Sequence, residues 1–231
     1  MPNFLPHDII LVPQGAEYQA VCRGLRGVTG FIPTVLPIPI GMKALLQYLQ
    51  ESSENKQFLA PQSRVLILGL CGSLSDRYTV GDVVLYQNCL YQDKRQECDR
   101  SFTAELRSVL PNPHSPVNAL TSDRVISSAA EKRRLNENLA VDVVDMEGFT
   151  ALEFFNAAGV AVAMLRVVSD DCQHDIPDLT AAIDSDGSLR PLPLTMTMIR
   201  QPIAAARLIR GSLTALKVLE KMTNSLFFPR S

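Results

Sequence analysis

The chain has 231 residues, 46% hydrophobic and 20% charged, which is enough for one sizeable core in a single α/β domain spanning residues 1–231. A formal charge of −2 without a basic face argues against nucleic acid or an anionic membrane as partner. The opening MPNFLPHDIILVPQG lacks a charged leader and a long apolar run, so no signal peptide is expected, and no apolar run approaches the roughly 20 residues that span a bilayer.

In chain order, DIILVP (8–13) predicts a short buried strand and AEYQAVCRGL (16–25) a helix. GMKALLQYLQESS (41–53) predicts a second helix, and RVLILGLCG (64–72) a fully buried strand that stops at glycines. Further strands are expected at GDVVLYQNCLY (81–91), PVNALTS (116–122), VDVVDM (141–146) and VAVAMLRVVSD (160–170). Helical patterns separate several of them, at SAAEKRRLNENL (128–139) and GFTALEFFNAAG (148–159). Within the first of these, EKRRLNENL (131–139) mixes bases, acids and amides and predicts a solvated helix face. Residues 172–200 contain Asp-Gly and several prolines and read as an ordered excursion, a candidate lid or binding loop. QPIAAARLIRGSLTALKVLEKM (201–222) predicts a closing helix that starts at Pro202 and buries Ile209, Leu213, Leu216 and Leu219. This alternation predicts an α/β fold around a covered central sheet.

The five cysteines are odd in number, irregularly spaced and without a C-x-x-C pair. Neither a disulfide framework nor a metal site is expected, and a reducing cytoplasm fits. Cys71 and Cys89 lie in apolar runs, where a free thiol behaves as a small hydrophobe. His7, His114 and His174 lie beside prolines or in loops, and no serine has the G-x-S-x-G setting of a nucleophile elbow. No P-loop or G-x-G-x-x-G is present.

In an open α/β sheet, ligands bind beyond the carboxyl ends of the strands. Three features fall at such ends: GLCGS (69–73), DMEG (145–148) and SDD (169–171). Each has a local alternative. The glycines would suit a tight turn at positive φ, and the acids would suit helix N-termini. Three such features on one rim point instead to a site.

Together VPQGAEYQAV (12–21), GLCGSLSDRYTVGDVVL (69–85) and VVDMEGFTALEFFNAAGVAVAMLRVVSDD (143–171) resemble the purine nucleoside phosphorylase and methylthioadenosine nucleosidase superfamily. The stretch Ile176–Pro191 is similar to the branch labelled hopanoid-associated phosphorylase. The resemblance implies a mixed, partly rolled central sheet flanked by helices, and cleavage of a purine–ribose N-glycosidic bond. It implies that Glu147 binds the ribose hydroxyls while Met146 packs on the sugar. Negative charge there stabilises an oxocarbenium-like transition state more than the ground state. Asp170 would protonate or hydrogen-bond purine N7, and Glu17 stands where the hydrolytic branch activates water. Arg166 would orient a carboxylate, and Gly72, Val125 and Ser169 would line the pocket. No cofactor is implied, except phosphate as co-substrate if the reaction is phosphorolytic. Family members form dimers, trimers or hexamers, so a homo-oligomer acting on a small purine nucleoside is implied.

Two departures bear on the chemistry. Phosphorolytic members carry G-D-P-x-R and an arginine before the Gly-rich turn, whereas this chain has GAEYQ and LILGLCG. Without those charge-assisted donors, water is the expected nucleophile. Val125 stands where adenine-specific nucleosidases place an aromatic ring, and GVTGFIPTVLPIPI (27–40) reads as a trimmed hairpin that opens the pocket to a bulky 5′ group. The expectation is hydrolytic release of a purine, adenine by preference, from a 5′-modified nucleoside. Phosphorolysis and a non-catalytic nucleoside-binding role are the alternatives.

Overall fold

The computed structural model describes residues 8–28, 31–54, 63–110, 115–179 and 190–227. The elements are β1 (Ile9–Pro13), α1 (Ala16–Gly24), β2 (Thr34–Ile38), α2 (Met42–Glu54), β3 (Arg64–Ser73), β4 (Val83–Tyr91), β5 (Lys94–Glu97), α3 (Arg100–Val109), β6 (Val117–Thr121), α4 (Ala129–Leu139), β7 (Val143–Asp145), α5 (Gly148–Ala157), β8 (Ala161–Asp170), α6 (Pro191–Arg200) and α7 (Pro202–Phe227). Among the described residues no helix is long and apolar enough to cross a membrane.

All eight strands share one mixed sheet. Strand β3 pairs β8 in parallel along its length and β7 antiparallel at its end. From β7 the ladder runs to β6, then β4, and from β4 back to β8. The partly rolled sheet expected from the sequence is thus closed into a ring of five strands. Strands β1 and β2 extend it beyond β3, and β5 extends it beyond β4.

Strand β1 and the five strands of the ring are largely buried on both faces, which is why their sequences read as near-continuous apolar runs. Val65 and Ile67 of β3 pack towards α2 and α5, with Leu45, Leu49, Leu152 and Phe155. Leu66 and Leu68 pack towards α1, α3 and α7, with Val21, Phe102, Leu106 and Leu219. The alternation is the ordinary two-residue period of a strand.

Four elements have no counterpart among the predicted ones. Strand β2 carries Pro37, which the outer strand of a sheet tolerates and which disguises a strand in sequence. Strand β5 is Lys-Arg-Gln-Glu, a polar edge without alternation. The hairpin before it turns through Gln92 at φ 53°, where Asn or Gly would be the usual signal. Helix α3 starts at Asp99, whose carboxylate accepts from Phe102 N at 2.7 Å. Helix α6 lies inside the 172–200 excursion; residues 180–189, on which the lid reading and much of the Ile176–Pro191 resemblance rest, are outside the described residues, as are His7 and His114.

The closing helix starts at Pro202 as predicted, but its buried face differs. Ile209 and Leu213 are 51% and 56% exposed, whereas Ala205, Gly211, Ala215, Leu219, Met222 and Leu226 are buried. A Cβ on Gly211 would lie 2.2 Å from Ser169 O, and one on Gly24 of α1 would lie 2.4 Å from Glu220 O. The helix docks through small residues at backbone contact, a face that a count of large apolar side chains does not see. Leu219→Ala is expected to lower unfolding free energy by about 2–5 kcal/mol, while Ile209→Ser changes it by less than about 0.5 kcal/mol. Urea unfolding of the two variants checks this, and comparable large losses at both positions would restore the predicted stripe.

Candidate active site

The three predicted rim features meet. Gly72 from β3, Asp145 at the end of β7 with Met146 and Glu147 just past it, and Ser169 and Asp170 at the end of β8 line one cavity of about 170 Å³. Glu17 reaches it from α1, and Val125, Ile126 and Ile176 close it from the loops. A second cavity of about 350 Å³ meets the first at Ser169, Asp170 and Ile176, and runs along α7 past His174 and Arg207.

The floor is a buried charge cluster. Arg166 of β8 is fully buried; its Nη2 lies 3.4 Å from Asp145 Oδ2 and 3.6 Å from Glu147 Oε2. Burial would pull its pKa down, but Asp145, Tyr86, Glu147 and Glu17 around it outweigh that and hold it above the usual range. Its Nε and Nη1 have no acceptor among the described residues. Asp145 is itself held: Thr121 Oγ donates to Oδ1 at 2.9 Å, and Gly148 N donates to the same oxygen at 3.1 Å. The helix-capping alternative therefore describes part of what Asp145 does. Glu147 accepts from Gly41 N at 2.9 Å through Oε1. Burial pushes its pKa up; Arg166 opposes, Asp145 adds to the rise, and the Gly41 and Met146 amides oppose.

Glu17 sits in the first turn of α1, two residues after Gly15 at φ 90°, a conformation suited to glycine. Leu70 N donates to its Oε2 at 2.7 Å. Burial raises the Glu17 pKa to about 7, against Arg166 and the Leu70 amide and with help from Glu147 and Asp145.

The glycines of GLCGS do not make the tight turn at positive φ offered as their local alternative. They lie in β3, neither has positive φ, and the strand carries a register shift between Cys71 and Gly72. Their service is close approach. A Cβ on Gly69 would stand 2.3 Å from Arg166 Nη1 and 2.5 Å from Glu17 Oε2, and one on Gly72 would stand 2.8 Å from Asp170 Oδ2.

Asp170 is engaged with side chains rather than with a helix end. Ser169 Oγ donates to its Oδ1 at 2.8 Å, and Lys132 Nζ donates to its Oδ2. Lys132 is fully buried, which corrects the solvated-face reading of 131–139 at this position. Helix α4 buries Ala129 and Lys132, one turn apart, against the core, and its remaining charges face outward. His174 is half exposed, 3.1 Å from Asp171 Oδ1 through Nδ1, as its loop position suggested. All five cysteines are free thiols. Among the described residues no three His, Cys, Asp or Glu are grouped to hold a metal ion.

Residues 62–186 match the sequence profile of the Phosphorylase superfamily, more than half of the chain. The chain belongs to this superfamily. It is accordingly an enzyme that cleaves glycosidic bonds. No curated protein matches it significantly. Solved structures match over almost its full length. Futalosine hydrolase of Helicobacter pylori strain 26695 is 18% identical, with a TM-score of 0.63 over 93% of this chain and 96% of its own. A mutant of the H. pylori methylthioadenosine nucleosidase with 5′-methylthioadenosine in its active site is 16% identical, with a TM-score of 0.64 over 95% and 98%. The Campylobacter jejuni 5′-methylthioadenosine/S-adenosyl homocysteine nucleosidase is 16% identical, with a TM-score of 0.60 over 93% and 98%. At these identities the likeness establishes the fold.

The raised pKa of Glu17 has a consequence for stability. Its folded-state value of about 7 exceeds the unfolded 4.5, so unfolding releases a proton between them. The stability associated with the buried, protonated acid is complete below pH 4.5 and is lost as pH rises through 7. Glu17→Gln, which stays neutral, is expected to match the wild type at acid pH and to gain on it across that window, with a plateau above. Thermal melts against pH check this; a constant difference would mean that folding leaves the Glu17 pKa unshifted.

Proposed function

We propose that the enzyme hydrolyses the N-glycosidic bond of a 5′-modified adenosine and releases adenine. The observation that carries the choice of water is the sign of the cavity. Glu17, Asp145, Glu147 and Asp170 all line it. The one arginine on its wall, Arg124, gives its guanidinium to Glu131 at 2.6 and 3.3 Å. Arg166 lies against Asp145 and Glu147. The two Arg166 N–H groups without an acceptor lie beneath the cavity wall beside Glu17, so a phosphate dianion entering the cavity would meet carboxylates first.

Water suits the same geometry. Two Arg166 N–H groups lack an acceptor among the described residues, and Nη1 shares the space over Gly69 with Glu17 Oε2. Buried polar groups of this kind are commonly satisfied by water. A water between them would accept from Arg166 and donate to Glu17, a base whose pKa of about 7 is matched to neutral pH. As the C1′–N9 bond breaks, its electron pair passes to the purine and positive charge develops on the ribose. Glu147 faces that charge and takes the ribose hydroxyls, with Met146 against the sugar. Water then bonds to C1′ and its proton goes to Glu17. Asp170 stands at the purine N7, where protonation makes the base a better leaving group. The likeness to a nucleosidase holding 5′-methylthioadenosine supports the choice of adenine and of a 5′-modified ribose.

The test is a panel of purine nucleosides with and without phosphate, the freed base and sugar separated by chromatography. Adenine and free sugar without phosphate are expected; phosphate-dependent ribose 1-phosphate, or tight binding without turnover, contradicts the reading. Glu147→Gln keeps shape but removes the charge facing the developing cation, and turnover is expected to fall by about 10²-fold or more. Wild-type turnover in that variant would remove Glu147 from the ribose role.

A further inference from the structure

A buried lysine stands behind the acid at the purine end. Lys132 does not line the cavity; it is fully buried beneath it, with Nζ on Asp170 Oδ2 and 2.8 Å from Asp171 O. Three bonds clamp α4 to the end of β8. Lys132 Nζ takes Asp171 O, Arg133 Nη1 donates to Cys172 O at 2.7 Å, and Ala129 N donates to Asp175 Oδ1 at 2.7 Å. Ser169 Oγ holds the other oxygen of Asp170. Lys132 therefore has one anionic partner, in one geometry, at the cavity wall.

Stability alone does not call for this arrangement. Desolvating an ammonium costs several kcal/mol, and a buried ion pair replaced by apolar groups of similar volume is often as stable or more so. The chemistry calls for it more strongly. Lys132 Nζ directs an N–H bond at Asp170 Oδ2 from behind the cavity wall, in line for transfer through the carboxylate.

We propose that Lys132 is the proton source for the departing purine, with Asp170 as the group that passes the proton on. This rests on the hydrolase reading above. In the step, an Nζ–H bond of Lys132 breaks and an O–H bond to Asp170 forms. That proton moves to purine N7 as the C1′–N9 electron pair enters the base. The pair ends as neutral amine beside carboxylate and takes a proton back from solvent when the base leaves. The arrangement also reconciles the two ends of the reaction. Glu17 must be ionised to accept a proton from water, which requires pH near or above about 7, above the ordinary range of a carboxylic acid and below that of an ammonium. The charged groups facing Lys132 are Asp170 and the Asp171–Cys172 segment after β8; on its own helix Glu131 turns to Arg124 and Arg133 to Cys172 O.

The test compares Lys132→Met and Lys132→Arg on a purine nucleoside and on nitrophenyl riboside, whose leaving group needs no proton. Arginine keeps the charge but does not give up a proton in proteins. Both variants are expected to lose about 10²-fold or more on the nucleoside and to stay within about threefold of wild type on the nitrophenyl riboside. Lys132→Arg at wild-type rates would reduce Lys132 to a positioning charge and overturn proton supply. So would no loss in either variant, or equal losses on both substrates. If the variants do not fold, the wild-type pH profile decides. Nucleoside cleavage relative to nitrophenyl riboside cleavage should hold above pH 8, and a decline already complete below about pH 6 would assign the proton to Asp170 alone. A wild-type enzyme inert on every nucleoside would contradict the hydrolase reading itself, and this inference with it.

Discussion

One guanidinium organises the site. Arg166 enters the ring of strands from β8 with no exposure to solvent. A lone charge there would be prohibitively costly, so acids from two other segments converge on it: Asp145 and Glu147 at and just past the end of β7, and Glu17 from α1. The contact geometry is loose, at 3.4 and 3.6 Å, and two N–H groups have no acceptor among the described residues. The cluster therefore has capacity left over. In the proposed function that surplus takes a polar ligand and a water, which would separate this cluster from a purely structural ion pair.

The fold exists to make that convergence possible. Closing the sheet brings the ends of β3, β7 and β8 to one rim, and the parallel pairing of β3 with β8 sets Gly69 beside Arg166. Only a residue without a side chain fits there, since Arg166 and Glu17 occupy the space. The same rule holds at Gly72 beside Asp170. Two acids with different settings result. Glu17 is desolvated among other acids and pushed towards neutrality, while Asp170 is matched to an ammonium. Neighbouring carboxylates given different partners can take opposite roles in proton transfer.

Much of this was legible in the sequence. The near-continuous apolar runs gave away strands covered on both faces, and the acids at their ends marked the rim. Glu17, Gly72, Val125, Met146, Glu147, Ser169 and Asp170 do line one cavity, with Arg166 beneath it. What was hidden has physical causes. Lys132 sits in a run of charges whose average character is solvated, and only its one-turn spacing from buried Ala129 signals the inward face. The closing helix packs through Ala and Gly, which carry no hydrophobic signal by size. Strand β5 is polar throughout, and β2 is interrupted by a proline. The glycines of β3 were visible, but their role depends on what lies across the sheet, which a single strand does not reveal.

The central claim is that this charge cluster activates water and that the acid-lined cavity excludes phosphate as the attacking group. The most direct measurement is a single turnover of a 5′-modified adenosine in ¹⁸O-labelled water containing phosphate, with mass analysis of the sugar. The account predicts free sugar carrying one ¹⁸O at C1, in an amount independent of phosphate. Unlabelled sugar 1-phosphate that scales with phosphate concentration would contradict it.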